Sequence, residues 1–243
     1  MAKDPKKIKE MVYGVHSVRE LLSAKKRFVH EIYTLNTPID AWHDIAPLIN
    51  PATRIAKMSR DQLAKVSGTT DHQGIIAMTD QYKYRSRFFD STKEPLIVLL
   101  DRIQDPRNTG AIIRSAWCAG ADGVILIDKG GVDVTAVVHK SSAGLVEKSS
   151  VYRCSTVANA LQELTKAGYN LYCGDFGGVP VQSVSFTSPC CVVVGNEGLG
   201  VASPLLKAST VISIPQRSGN ISYNASVAAG IMLVYASVSL GKI

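Results

Sequence analysis

CCVVV (190–194) runs without a polar residue into GNEGLG (195–200). A strand with one wet face alternates apolar and polar side chains. An unbroken apolar run belongs instead to a strand covered on both faces, as in a parallel sheet flanked by helices. The same pattern recurs at LIVLL (96–100), VILI (124–127), NLYC (170–173) and VISI (211–214). Between these runs, residues 109–119, 134–143, 157–167, 203–208 and 225–240 carry helical spacing. Strand and helix alternating in this way predict an α/β, parallel-sheet sandwich over residues 95–243.

The front of the chain reads differently. VHSVRELL (15–22) is amphipathic, with Val15, Val18, Leu21 and Leu22 at helical spacing. FVHEIYTL (28–35), TRIAKM (53–58) and GIIAMT (74–79) look like strands, and residues 41–49 like a helix. Residues 1–80 are therefore expected to form a small α/β unit. QYKYRSRFFDSTKEP (81–95) is polar, basic and aromatic without periodicity and reads as a linker over 81–94. Its Lys83, Arg85 and Arg87, interleaved with Tyr82, Tyr84, Phe88 and Phe89, also suit single-stranded RNA by charge and stacking.

The 243 residues carry a net charge of +7, unevenly spread. Residues 1–94 hold 16 basic against 11 acidic side chains, and residues 95–243 hold 11 against 9. A basic front half is the footprint of a polyanion binder as well as of an ordinary soluble surface. The five cysteines show no C-x-x-C spacing and sit in mostly apolar surroundings, as reduced thiols in a cytoplasmic protein do. No His/Cys cluster has zinc-site spacing, so no metal is expected. The opening MAKDPKKIKE lacks the apolar core of a signal peptide. Residues 225–241 form an uncharged run of 17, short of the ~20 that span a bilayer, and are read as a buried helix.

No P-loop is present, and the turn after the first apolar strand, DRIQDPRNTG (101–110), is not a dinucleotide fingerprint. The glycine-rich turn comes late, after Val194. Glycines there let a ligand approach the backbone closely. Downstream stand ISIP (212–215) and NISYNASVAAG (220–230). The polar residues of these turns, Glu197, Ser222 and Asn224, have no core to fill.

Together, DPRNTGAIIR (105–114), GNEGLG (195–200) and NISYNA (220–225) resemble the three motifs of the SpoU/TrmH-type RNA ribose 2′-O-methyltransferases. The resemblance covers residues 96–240. It implies a parallel sheet whose C-terminal strand and helix thread a loop to form a trefoil knot, S-adenosylmethionine as cofactor, and a homodimer. It carries the functional Asn and Arg of the first motif onto Asn108 and Arg114, the Glu of the second onto Glu197, and the S-x-N pair of the third onto Ser222 and Asn224. Cofactor contacts fall to Gly195, Gly198, Ile214, Pro215 and Tyr223. In this scheme Arg114 clamps phosphate and stabilises the developing alkoxide, Asn108 and Glu197 hold it, and Ser222 and Asn224 fix the ribose and the knot backbone.

YGVH (13–16) and HQGIIA (72–77) resemble the RNA-binding domain ahead of the catalytic domain in the ribosomal RNA members. That match favours a guanosine of large-subunit ribosomal RNA over transfer RNA. Asn196, Leu199, Tyr223 and Ala225 depart from the family pattern and leave open an inactive RNA-binding assembly factor. Simpler roles compete at each position. Asn108 can cap a helix beginning near Thr109, and Glu197 can satisfy its own turn. Ser222 and Asn224 can cap the last helix, Tyr223 can fill core, and Arg114 can be an ordinary helix-surface residue.

Overall fold

The computed structural model describes residues 9–217 and 221–243, so Asn220, at the start of the third motif, and the first eight residues lie outside it. Two sheets organise the chain.

The first sheet has four strands in the order β1, β4, β2, β3. They are β1 (Glu10–Tyr13), β2 (Val29–Leu35), β3 (Arg54–Met58) and β4 (Ile75–Thr79). β4 runs antiparallel to both β1 and β2, while β2 and β3 are parallel. Helix α1 (Val15–Ala24) packs Val18, Leu21 and Leu22 against Val12, Ile32 and Ile75. The helix expected over residues 41–49 is α2 (Trp42–Ile45) followed by one tighter turn, Ala46–Leu48, that contains Pro47. Proline lacks the N–H that a continuing α-helix needs. Helix α3 (Arg60–Ser67) begins with a capping box between Ser59 and Gln62.

The second sheet is wholly parallel, with six strands in the order β10, β8, β9, β5, β6, β7. They are β5 (Leu96–Leu100), β6 (Gly123–Ile127), β7 (Val151–Cys154), β8 (Asn170–Pro180), β9 (Cys190–Val194) and β10 (Thr210–Ser213). Every residue of β5, β6 and β9 is buried, as apolar runs without alternation require. Successive side chains point to opposite faces. Leu96, Val98 and Leu100 therefore join the core under α4 (Pro106–Cys118), α5 (Ala136–Ser141) and α8 (Ala225–Ser239). Ile97 and Leu99 join the core under α6 (Val157–Ala167) and α7 (Ser203–Lys207).

Helix α8 buries Ala225, Ala229, Met232, Leu233 and Ala236 against the sheet. Among the described residues no helix is long and apolar enough to cross a membrane. Between the two sheets Arg27 is buried and ion-paired to Glu147 and to Glu10. The Arg27 guanidinium also lies 3.2 Å from Nε2 of His139, and the Tyr82 hydroxyl donates to the Val146 carbonyl at 3.0 Å.

Candidate active site

The C-terminal ends of β9 and β10 and residues 174–176 of β8 face a cavity of about 430 Å3. Crevices at the carboxyl ends of parallel strands are where α/β folds place ligands, and this volume lies in the range of roughly 300–1,000 Å3 for small-molecule sites. The Gly195–Gly200 turn forms one wall. Ile214, Ser222 and Tyr223 form a second, and Met232 of α8 closes the floor.

The turn after β9 has to come close to its own chain. A Cβ on Gly195 would stand 2.5 Å from the backbone nitrogen of Val201, so no other residue fits. Asn196 shapes the turn. Its Oδ1 accepts from the backbone N–H of Gly198 at 2.9 Å and of Leu199 at 3.0 Å, and its Nδ2 donates to the Arg102 carbonyl at 2.9 Å. Fully buried Asp101 accepts from Ala202 N–H at 2.6 Å and from Arg102 Nε at 2.7 Å. With Asn196 saturating the turn, Glu197 is free to point outward.

Glu197 meets the first motif there. Asn108 Nδ2 donates to Glu197 Oε1 at 2.5 Å, and Asn224 Nδ2 donates to Asn108 Oδ1 at 3.1 Å. Helix α4 begins earlier than its sequence suggests. Asp105 caps it by accepting from Arg107 N–H at 2.7 Å, and Pro106 occupies its first turn. Asn108 therefore has no capping duty. Asn224 does cap α8, with Oδ1 accepting from Ser226 N–H at 2.9 Å, and it makes the Asn108 bond as well. Three separated motifs thus meet in one chain of side-chain hydrogen bonds, Asn224 to Asn108 to Glu197.

The other expected residues are placed unequally. Gly195, Gly198, Glu197, Ile214, Ser222 and Tyr223 line the cavity. Pro215 does not, although its carbonyl lies 3.4 Å from the Tyr223 hydroxyl. Arg114 is exposed on α4 and stands outside the lining. Within the chain no hydrogen bond among the described residues joins it to Asn108 or Glu197. Asp175 and Phe176, which sequence reading missed, reach the rim from β8. Tyr172 and Cys173 pair with Thr210 and Val211, then Val179 and Pro180 pair with Ile212 and Ser213, which leaves residues 174–178 looped out of the ladder.

The basic-aromatic stretch after residue 80 has little left for stacking on RNA. Arg85 is ion-paired to Glu94 and lies 4.4 Å from the Phe89 ring centroid, and Phe89 is itself buried. The Tyr84 hydroxyl accepts from Val134 N–H at 2.8 Å while Arg153 lies over its ring. Lys83 and Arg87 remain exposed. Burial pushes the thiols of Cys173 and Cys190 up to about 12, which removes them as nucleophiles. Among the described residues no His, Cys, Asp and Glu group is arranged to hold a metal ion.

A parallel α/β layer with a glycine-walled cavity at its strand ends, preceded by a small mixed sheet, is the architecture of an α/β ligand-binding domain with a second unit ahead of it. Residues 95–234 match the SpoU rRNA Methylase family, and residues 11–85 match the RNA 2′-O ribose methyltransferase substrate-binding family. The chain belongs to the SpoU rRNA Methylase family. It is 32% identical over 234 residues to an uncharacterized tRNA/rRNA methyltransferase of Mycolicibacterium gilvum, covering 92% of this chain and 74% of the relative. It is 29% identical to the 23S rRNA (guanosine-2′-O-)-methyltransferase of Shewanella oneidensis, covering 93% of this chain and 96% of that one. Among solved structures, an RNA 2′-O ribose methyltransferase superposes with a TM-score of 0.84 at 21% identity over 96% of this chain and 90% of its own. The SpoU methyltransferase AviRb of Streptomyces viridochromogenes, in complex with AdoMet, gives 0.79 at 22% identity over 96% and 90%. At those identities the superpositions establish the fold.

Proposed function

We propose that this S-adenosylmethionine-dependent RNA methyltransferase modifies the ribose 2′-hydroxyl of a guanosine in large-subunit ribosomal RNA, in the cytoplasm. The observation that carries the reading is the Asn224–Asn108–Glu197 hydrogen-bond chain, which gathers all three motifs on the rim of one cavity. The Shewanella relative, matched over nearly its whole length, supports ribosomal RNA and guanosine. The substrate-binding match over residues 11–85 favours the same choice over transfer RNA.

The cavity suits the cofactor. Backbone groups of the Gly195–Gly200 and Ile212–Gln216 segments offer hydrogen-bond partners, Ile214 and Met232 offer apolar contact, and the nearby carboxylates of Asp175 and Glu197 favour a cation. S-adenosylmethionine supplies a methyl group on a positively charged sulfur. The transfer is an in-line displacement, and alignment of the reacting atoms is a large share of its catalysis. Gly195 and Gly198 would let the backbone approach the cofactor, Ile214 and Tyr223 would pack on it, and Pro215 would fix the backbone beside Ile214. Asn108, Glu197 and Asn224 brace the rim, and Ser222 orients the ribose.

Arg114 is the cation for the RNA phosphate and the developing alkoxide, the hydroxyl proton passing to phosphate or water, because a guanidinium at neutral pH is a poor base. It acts from outside its own chain's cavity, on RNA or across a dimer contact. Helix α8 exposes Val227, Val234, Tyr235 and Val238 beside Trp117 of α4, an apolar stripe that supports a homodimer formed on this face. The insertion of β9 between β8 and β5 supports the knotted course of the C-terminal segment. Residues 1–80 form the RNA-binding domain, 81–94 the connection and 95–243 the catalytic domain.

The test is to incubate the protein with labelled S-adenosylmethionine and separated RNA fractions, then map the modified ribose. Label at one guanosine 2′-oxygen of large-subunit RNA is expected. Label confined to transfer RNA, or none in any fraction, overturns the reading.

A further inference from the structure

Two short stretches of the first sheet meet at one corner. Gly14 N–H donates to the Ile75 carbonyl at 3.1 Å, and Val15 N–H donates to Oε1 of Gln73 at 3.1 Å. The Gln73 side chain thus serves the first N–H of α1, where Gly14 has no side chain to do so. Gly14 itself has φ +93°, a conformation that favours glycine.

This corner faces the second sheet's helices. Lys140 of α5 lies across Gly14, its Nζ 2.8 Å and its Cδ 3.2 Å from where a Cβ would stand. The neighbouring Ser141 Oγ donates to the Pro106 carbonyl at 3.2 Å, so the end of α5 touches the first turn of α4. Gly110 permits this approach, since a Cβ there would fall 1.9 Å from Ser141 Oγ. Arg107 follows Pro106 and directly precedes Asn108 of the active site. Lys140 and Arg107 therefore stand on touching turns, between the corner of the first sheet and the rim of the cavity.

Neither cation has an ion-pair partner within 4 Å among the described residues, whereas Arg27, Arg85, Arg102 and Arg153 are all paired. Asp71 is the acid that acts on Lys140 and on Tyr13 at longer range, and Arg107 acts on Tyr13 with the opposite sign. Burial against the first sheet lowers the Lys140 ammonium from its ordinary value, so its charge lacks full solvation. An RNA strand running from the first sheet to the reactive ribose brings phosphates that both cations, on touching turns and without an ion pair among the described residues, are placed to meet.

We infer that Lys140, set against the Gly14–Gln73 corner, and Arg107, on the adjoining first turn of α4, hold the phosphodiester backbone of the RNA where it crosses from the first sheet to the active site. They are positioning residues, and the inference rests on the proposed action on RNA while adding a path to it. Each phosphate contact made by a cation steepens the salt dependence of binding by about 0.7–0.9 in log–log slope.

The experiment uses the full chain and transcribed 23S ribosomal RNA, measuring binding against salt and single-turnover methylation against RNA concentration. Lys140→Met keeps the packed stem and removes the charge, and Arg107→Gln keeps a polar side chain. The double variant is expected to bind RNA on the order of tenfold more weakly, with the salt slope reduced by about 1.4–1.8. Its RNA concentration for half-maximal rate rises, and its rate at saturating RNA and its S-adenosylmethionine affinity stay within twofold of the parent. Lys140→Arg is expected to keep the parent slope, and Asp71→Asn to tighten binding. Lys166→Met with Lys207→Met, on α6 and α7 across the sheet, serves as the charge-matched control and is expected to change neither quantity. An unchanged slope in the double variant, or an equal loss in the control pair, overturns the inference. A parent protein that binds this RNA with the expected slope but methylates none of it sinks the functional reading and leaves the path standing.

Discussion

The seam between the two sheets and the rim of the cavity are both built from polar side chains in hydrogen-bonded chains, yet they are opposites in solvent. At the seam the side chains of Arg27, Glu147 and His139 are each about 1% exposed. At the rim Glu197 and Asn224 are exposed and Asn108 is half-buried. Burial makes each seam group depend on its partners, because an unpaired charge away from water is costly. Exposure leaves the rim groups able to trade a neighbour for a ligand. Holding the sheets together and framing the candidate site thus call for the same residue types at different depths.

Removing one seam partner should have the largest effect. Glu147→Ala leaves the buried Arg27 guanidinium only the partly exposed Glu10 as an ion-pair partner among the described residues and should destabilise the fold by about 3 kcal/mol. Urea unfolding monitored by fluorescence measures it. Replacing both partners with apolar residues, Arg27→Met with Glu147→Leu, should recover most of that loss. A cost under about 1 kcal/mol for Glu147→Ala would mean that water reaches the pair and that the contrast with the rim is one of degree.

The seam also fixes how stability depends on acidity. Burial, with the Arg27 charge beside it, lowers the His139 imidazole from the ordinary 6.5 to about 3. The unfolded chain therefore binds a proton between about 3 and 6.5 that the folded chain does not. Its contribution to stability is complete above the unfolded value and is lost as pH falls through that window, by about 1.4 kcal/mol per pH unit. Glu147, raised by burial against the pull of Arg27, has the opposite sign and loses its contribution as pH rises above its unfolded 4.5. His139→Gln keeps an acceptor for Arg27 and removes the titration. Comparing unfolding free energies of parent and variant from pH 7 to 4 isolates the imidazole, and parallel curves would contradict its neutral burial.

Much of this arrangement was legible in the residues, for physical reasons that differ by element. Strands β5, β6 and β9 announce themselves because a doubly covered strand is apolar at every position. β7 was missed because four residues with exposed Arg153 among them leave no such run. α3 buries only Leu63 and shows no apolar face, although its Ser59–Gln62 capping box is a signal that sequence reading can use. At the site, Glu197 and Asn224 stand out as polar residues of turns with no core to fill, and Asn108 through the motif that contains it. Asp101 and Asn196 do not, since their work is to satisfy backbone groups brought close only by folding. Asp175 and Phe176 depend on a looped-out stretch of β8, and the pairing that creates it is non-local.

Arg114 tests the rim from its far side. Exposed and without an ion pair among the described residues, it should be replaceable with Ala at a stability cost within about 0.5 kcal/mol. The same change should lower the single-turnover methylation rate by about 10²–10³, the usual loss on removing a group that stabilises transition-state charge. Arg114→Lys should rescue little, because a point charge does not reproduce the planar fork. A near-parental rate at saturating RNA and cofactor would return Arg114 to an ordinary helix surface.

Two glycines of a single turn give the finest comparison, because the structure treats them differently. A Cβ on Gly195 meets the backbone of Gly200 and Val201 at 2.5–2.6 Å, and backbone has no rotamer by which to step aside. Gly195→Ala should therefore open the turn, cost about 1–3 kcal/mol as overpacking does, and weaken cofactor binding. At Gly198 the nearest atom is Oδ1 of Asn196 at 3.6 Å, an ordinary contact, and φ lies outside the left-handed region. Gly198→Ala should change stability by less than about 0.5 kcal/mol. Calorimetric titration with S-adenosylmethionine then reads the cavity alone, since the added methyl stands on its wall. A loss at Gly198 without a change in stability would place the cofactor against that residue. Unchanged affinity at Gly198 beside a clear loss at Gly195 would confine the demand for glycine to the place where the chain must pass close to itself.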